Sequence, residues 1–198
     1  MIKMVNNLLS SLELGEAQQY KNMHLFPLFY SGNHSPEYLT LKEALEKNLL
    51  VITEVQQEGV VPELRVKNQS PFMILLLDGE ELMGAKQNRI LNTSILIKGQ
   101  SEIIIPVSCT EQGRWSYTSK NFVDSDLVAA SRIRASKVST VSESLEKSKH
   151  FFSDQLKVWN QVRELAFESH VSSKTDAMRD IYVAKERDLT DYIQQLRF

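Results

Sequence analysis

Two periods of apolar residues run along this chain, and the change from one to the other divides it. In the first part the apolar runs are short and set apart by turn residues. Phe72–Leu77 is wholly apolar, of strand length, and bounded by Pro71 and by Asp78-Gly79. That pattern predicts a strand buried on both faces. Arg89–Ile97 mixes aliphatic and polar residues and predicts a half-buried strand. After a Lys98-Gly99-Gln100 turn, Glu102–Val107 predicts its partner. His24–Tyr30 also reads as a strand, at an edge or a bulge because Pro27 removes a backbone donor. Leu49–Val55 and Glu63–Lys67 read as strands around a Gly59–Pro62 turn, and Ser31–Pro36 reads as another turn. Thr40 and Glu43 form a capping box for a short helix ending near Lys47–Asn48. Residues 3–14 fit either a short helix or a leader into a strand.

After about residue 122 the character changes. No Gly follows Gly113 and no Pro follows Pro106. Leu145, Phe152, Leu156, Trp159, Val162 and Ala166 recur at three- and four-residue spacing, as do Met178, Ile181, Leu189, Tyr192 and Leu196. These stripes predict amphipathic helices over roughly 142–168 and 175–196, with Ser172–Thr175 supplying the cap between them. A shorter helix is expected over 124–136, and the Ser-rich stretch 131–148 reads as a linker or as ordered chain. The fold expected is α+β: an antiparallel β-sandwich or barrel-like core over about 20–118, then a C-terminal helical segment. On this reading residues 1–122 are the β-rich core with one short helix. Residues 123–198 pack on it as helices and do not form an independent domain.

Composition narrows the class. Apolar residues make up 42% and charged ones 24%, so a packed core is within reach. A net charge of −2 gives no basic field for nucleic acid or an anionic membrane, and neither is expected as a partner. Cys109 is the only cysteine, so no internal disulfide forms. The N-terminal stretch is interrupted by Asn6, Asn7, Ser10 and Ser11 and makes a poor signal peptide, and the longest apolar run is too short to span a bilayer. A cytoplasmic protein is the expectation.

Candidate chemistry concentrates in Asp78–Asn92. Lys86 and Arg89 offer cations for a phosphate or carboxylate, and Gln87, Asn88 and Asn92 can both donate and accept. A turn whose polar side chains satisfy one another fits the same residues equally well. Glu80 and Glu81, adjacent on a strand, point to opposite faces and do not form a carboxylate pair. Either of them, or Glu111, is nonetheless a candidate acid–base group. Cys109 with Arg114 nearby reads as a nucleophile or, more simply, as a small core residue. Arg114 and Trp115 can present a cation and a ring to a ligand, or Trp115 can close the core. His24, His34, His150 and His170 lack metal-ligand spacing, so no metal site and no cofactor are expected. Glycine-rich phosphate loops and the nucleophile-elbow motif are absent from the sequence.

Two longer strings add a family. GEELMGAKQNRILNTSILI (79–97) and PVSCTEQGRW (106–115), at this spacing, resemble the ADP-ribosylglycohydrolase- and rhodanese-phosphatase-associated domain family, a bacterial family of unknown function. HLFPLFY (24–30), the TLKEAL and VITEV strings within 40–55, VPELRVKN (61–68) and SDQLKVW (153–159) extend the resemblance over about 20–165. It implies a role near ADP-ribose or nucleotide chemistry. It also implies a site drawn from Gly79–Arg89 and from Cys109, Glu111, Gly113, Arg114 and Trp115. Three functions follow as expectations. The first is binding of an anionic small molecule such as ADP-ribose through Lys86, Gln87, Asn88, Arg89, Asn92, Arg114 and Trp115. The second is a hydrolase using Glu80, Glu81 or Glu111. The third is an interaction module whose C-terminal helices bind a partner protein or a second copy of the chain.

Overall fold

The structure, a computed structural model, describes residues 2–32, 37–56 and 62–196. Residues 33–36 of the expected Ser31–Pro36 turn and 59–61 of the expected Gly59–Pro62 turn lie outside the described residues. The chain divides into two units, Met1–Pro36 with Lys185–Phe198, and Glu37–Ala184.

In the first unit, helix α1 (Ile2–Ser10) precedes strands β1 (Leu12–Leu14), β2 (Gln18–Tyr20), β3 (Met23–Leu25) and β4 (Leu28–Tyr30). Both readings of residues 3–14 therefore hold in succession. The single strand expected over His24–Tyr30 is instead two. β3 pairs with β2 and β4 with β1, both antiparallel. Pro27 sits at the break, where it has no N–H to give a ladder and its carbonyl accepts from Gly15 N at 2.8 Å.

The second unit opens with β5 (Tyr38–Thr40) and α2 (Leu41–Glu46). The expected capping box is in place: the Thr40 hydroxyl accepts from Glu43 N, and Thr40 N donates to the Glu43 carboxylate at 2.8 Å. Strands β6 (Leu50–Glu54), β7 (Glu63–Asn68), β8 (Met73–Leu76), β9 (Glu80–Gly84), β10 (Arg89–Leu91), β11 (Ile95–Ile97), β12 (Ser101–Cys109) and β13 (Phe122–Val128) follow. Six of them form a curled antiparallel half-barrel in the order β13-β9-β10-β12-β7-β6. A three-stranded sheet, β11-β8-β5, carries the parallel pair β5–β8. Leu41, Ile52, Leu64, Val66, Ile74, Leu76, Leu82 and Leu91 are fully buried in one cluster shared by the two sheets. Each such side chain contributes roughly 1.5–3 kcal/mol by leaving water.

Two strand expectations change in detail. β8 is shorter than expected and not buried on both faces: Ile74 and Leu76 are enclosed, Met73 and Leu75 on its other face are half-buried, and Phe72 and Leu77 beyond its ends are exposed. Arg89–Ile97 is not one strand. β10 pairs with β12 while β11 crosses to β8. The backbone turns away at Asn92, whose carbonyl, like that of Leu91, is taken at 2.9 Å by the buried Lys137 ammonium.

Helices α3 (Ser131–Ser148), α4 (Gln155–Glu168) and α5 (Met178–Ala184) complete this unit, and α6 (Glu186–Gln195) belongs to the first. The helix expected over 124–136 begins at Ser131, because β13 instead pairs with the open edge of β9. The helix expected over 142–168 is broken: Lys149 adopts φ 62° and ends α3, and Asp154 caps α4 by accepting from Leu156 and Lys157. The 131–148 stretch is thus helix and not linker. The helix expected over 175–196 is likewise two. The expected cap from Ser172–Thr175 is not formed: Ser173 accepts from Ala177 N at 2.9 Å in the turn ahead of α5, which begins at Met178. Ile133, Val158, Val162, Met178 and Ile181 pack a second core against Ile90 of the half-barrel.

Candidate functional site

Register decides which polar groups meet. Arg89 pairs with Leu82 on one side and Cys109 on the other, so all three face the first core. Ile90 pairs with Glu81 and Ser108, which therefore face the helices. Arg89 and Glu81 lie on opposite faces of the same sheet. The polar residues of Asp78–Asn92 accordingly separate into distinct clusters.

The first cluster lies on the core face. Arg89 is fully buried. Its Nη1 donates to Gln87 Oε1 at 3.0 Å and to Cys109 Sγ at 2.6 Å. The Cys109 thiol in turn donates to Gln87 Oε1 at 2.8 Å. Burial pushes that thiol up to about 11, so it remains protonated and is not a nucleophile at neutral pH. Arg89 Nη2 stands 3.8 Å from Glu54 Oε1, and the Glu54 side chain is 4% exposed. Neither Glu54 oxygen, nor Arg89 Nε or Nη2, has a hydrogen-bond partner of ordinary geometry among the described residues. Burial raises the Glu54 carboxyl above its ordinary range, against the opposing pull of Arg89 and the Lys86 backbone.

This pair underlies a cleft of about 830 Å³ lined by Thr53, Glu54, Gln56, Tyr117, Ser119 and Lys120. The Lys86 ammonium lies 5.1 Å from the Trp115 ring centre and 5.2 Å from that of Tyr117. The Arg89 guanidinium lies 5.9 Å from the Trp115 ring centre.

The second cluster is centred on Glu111. Its carboxylate receives Arg114 Nη2 at 2.6 Å, Arg114 Nε at 2.8 Å and the Thr175 hydroxyl at 2.9 Å. Burial alone would raise this carboxyl, but those bonds outweigh it and hold it below its ordinary value. Arg114 also donates to Ala85 O and to Asn88 Oδ1, which ties the β9–β10 turn to the 111–118 segment. The turn needs Gly84. Its φ is +134°, and a Cβ there would lie 2.5 Å from Ser119 Oγ. A smaller cleft of about 410 Å³ lies here, lined by Asn88, Glu111, Arg114, Ser119, Arg179 and Asp180.

The third group faces the helices. Glu81 is fully buried; its Oε1 accepts from Thr110 at 2.8 Å and its Oε2 has no partner among the described residues. Burial pushes Glu81 up to about 7, opposed by Thr110, Ser125 and Arg179.

Of the residues singled out in the sequence, the fold gathers Gln87 and Arg89 on the core face, and Asn88, Glu111 and Arg114 around the smaller cleft. Lys86 and Trp115 sit beside the larger one. Glu80 stands apart: its Oε2 accepts from Leu77 N at 2.7 Å. Asn92 is also separate, held by Ser108 at 2.5 Å and donating to Phe151 O at 3.0 Å, where it anchors the α3–α4 connection. Sequence reasoning missed Glu54, although a period-two reading of Leu50, Ile52 and Glu54 puts an acid at an inward position. It also missed Gln155, whose side chain brackets the Cys109 backbone with bonds of 2.8 and 2.9 Å. No local signal marks that contact. Among the described residues no group of three or more His, Cys, Asp or Glu is placed to hold a metal ion, and no helix is long and apolar enough to cross a membrane.

Fold and site together define an α+β domain in which a half-barrel encloses a charged pair beneath a cleft, with helices closing its opposite face. Residues 11–198 match the family described as the ARG and Rhodanese-Phosphatase-superfamily-associated Protein domain, ARPP-1. The chain belongs to that family. Comparison with curated proteins and with solved structures found no match.

Proposed function

We propose that this domain binds a small anionic ligand of the nucleotide type, such as ADP-ribose, in the cleft above Glu54 and Arg89. The observation that carries this reading is the cleft itself, about 830 Å³ with a buried ionic pair at its base. That volume lies within the roughly 300–1,000 Å³ of small-molecule sites. Of the lining residues, Tyr117 offers a face on which a base stacks and Lys120 offers charge to a phosphate, and the Lys86 ammonium, 5.2 Å from the Tyr117 ring centre, adds to that charge. Arg89 is enclosed and acts by fixing Glu54 and lending charge, not by touching the ligand. The family description, which ties its members to ARG proteins, agrees with a ligand from ADP-ribose chemistry. Binding is favoured over hydrolysis because Glu54 is the one carboxylate among the described residues that line the larger cleft, while Glu111 is neutralised by Arg114 in the smaller.

Isothermal calorimetry with ADP-ribose and AMP tests the proposal. The wild-type chain binds both, and Lys86→Ala weakens binding about tenfold, or ~1.4 kcal/mol. Tyr117→Ala weakens it by a similar factor through lost stacking, worth about 1–3 kcal/mol. No heat with either nucleotide, or unchanged affinity in both variants, refutes it.

A further inference from the structure

We propose that two copies of this chain associate through an uncovered apolar surface of the first unit, made by α1 and by one face of the β1–β4 sheet. This is independent of ligand binding in the cleft. Every residue of α1 is exposed. Its apolar side chains nonetheless fall on one half of the helix: Ile2, Met4, Val5, Leu8 and Leu9 share one arc, and Lys3, Asn6, Asn7 and Ser10 the other. Isolated helices of this length are marginal in water, and most helical stability comes from packing the apolar face. Here that face is presented to solvent, with Ile2 77% and Met4 76% exposed. The sheet that follows repeats the pattern. Its register sets Leu12 opposite Tyr30 and Leu14 opposite Leu28, so these four share one face and Glu13 and Phe29 take the other. Leu14, Leu28 and Tyr30 are exposed. The sheet has two strands, and a two-stranded sheet needs a covering layer to be stable.

Charge decides what covers this surface. Neither apolar face carries an acidic or basic side chain: Lys3 is on the polar arc of α1, and Glu13 is on the far side of the sheet. In a twofold contact each face meets its own copy, so a charged face repels itself and a charge-free one does not. A membrane-surface helix joins its apolar face to a polar face rich in Lys and Arg, and α1 offers Lys3 alone. The area suffices as well. The eight exposed apolar side chains of the helix and sheet faces present about 100 Å² each, or roughly 800 Å² together, the share one partner contributes to a standard specific interface.

Light scattering on the full chain at about 100 µM tests this, a concentration at which a Kd below ~10 µM leaves most of the protein paired. The wild type is expected at twice the mass of one chain. Val5→Glu combined with Leu8→Glu, and separately Leu28→Lys, are expected at the mass of one chain, because like charges then meet across the twofold axis. Leu156→Glu, at an exposed position on α4, is expected to keep the doubled mass. A wild type at the mass of one chain overturns the proposal. If that single chain also co-sediments with phosphatidylcholine vesicles, the face belongs to a membrane surface and not to a second copy. A doubled mass that survives in the α1 and β4 variants, or that Leu156→Glu abolishes, overturns the assignment to this surface. The wild-type mass is read on the unaltered chain, so a variant that fails to fold does not shield the proposal.

Discussion

Replacing Glu81 by Gln should stabilise the protein at alkaline pH and leave it nearly unchanged at acid pH. Glu81 is fully buried between the half-barrel and the helices, near Thr110, Ser125, Arg179, Tyr182 and Glu111. Its carboxyl moves from an ordinary 4.5 in the unfolded chain to about 7 in the folded one. Between those values the folded state holds the proton and the unfolded state does not, so stability falls as pH rises. The contribution is complete below 4.5 and is lost as pH rises through about 7. At about 1.4 kcal/mol per pH unit the loss is about 3 kcal/mol by pH 8. Gln keeps the shape, accepts the Thr110 bond through its carbonyl, and carries no charge. Urea unfolding followed by tryptophan fluorescence at pH 5 and pH 8 reads the effect, since Trp115 and Trp159 both lie in the Glu37–Ala184 unit. The variant should gain about 3 kcal/mol over wild type at pH 8, or about 6–12 °C in Tm, and less than about 1 kcal/mol at pH 5. Parallel stability curves for the two proteins across that range would refute the assignment. Other carboxyls raised by burial, Glu54 and Asp124 among them, titrate in both proteins and cancel in the difference.

Two further outcomes follow from buried groups outside the binding cleft. Lys137→Met should destabilise the chain by about 3–5 kcal/mol, because it strips Asp78 of its buried partner and removes the ammonium that the Leu91 and Asn92 carbonyls share, leaving Leu91 O only its bond from Gly79 N; urea unfolding of the variant measures this, and a loss under 1 kcal/mol contradicts it. Cys109 should resist alkylation by iodoacetamide in the native protein at pH 8 and react at an ordinary rate in urea, with mass spectrometry as the readout; rapid labelling of the native protein would show an accessible thiolate.

Some of this protein was legible in its sequence. The change of hydrophobic period near residue 122 separates strands from helices because side chains repeat every two residues on a strand and every 3.6 on a helix. The capping box at Thr40 is legible because its partners are three residues apart. The polar richness of Asp78–Asn92 is legible too, as is the opposition of Glu80 and Glu81. What the sequence could not decide is which residues meet across strands. Arg89 faces Cys109 because β10 and β12 pair in one register; a shift of one residue would turn it to the helices. Glu54 reaches Arg89 because the half-barrel curls β6 around to the face that β10 presents. Asn92, which reads locally like its neighbours, became a structural anchor when Lys137 and Ser108 arrived from distant segments. Local pattern fixes period and capping, which act over three or four residues. The partners of a buried charge are set by contacts 35 to 60 positions away along the chain (Arg89 with Glu54, Lys137 with Asp78), and these the tertiary structure alone determines.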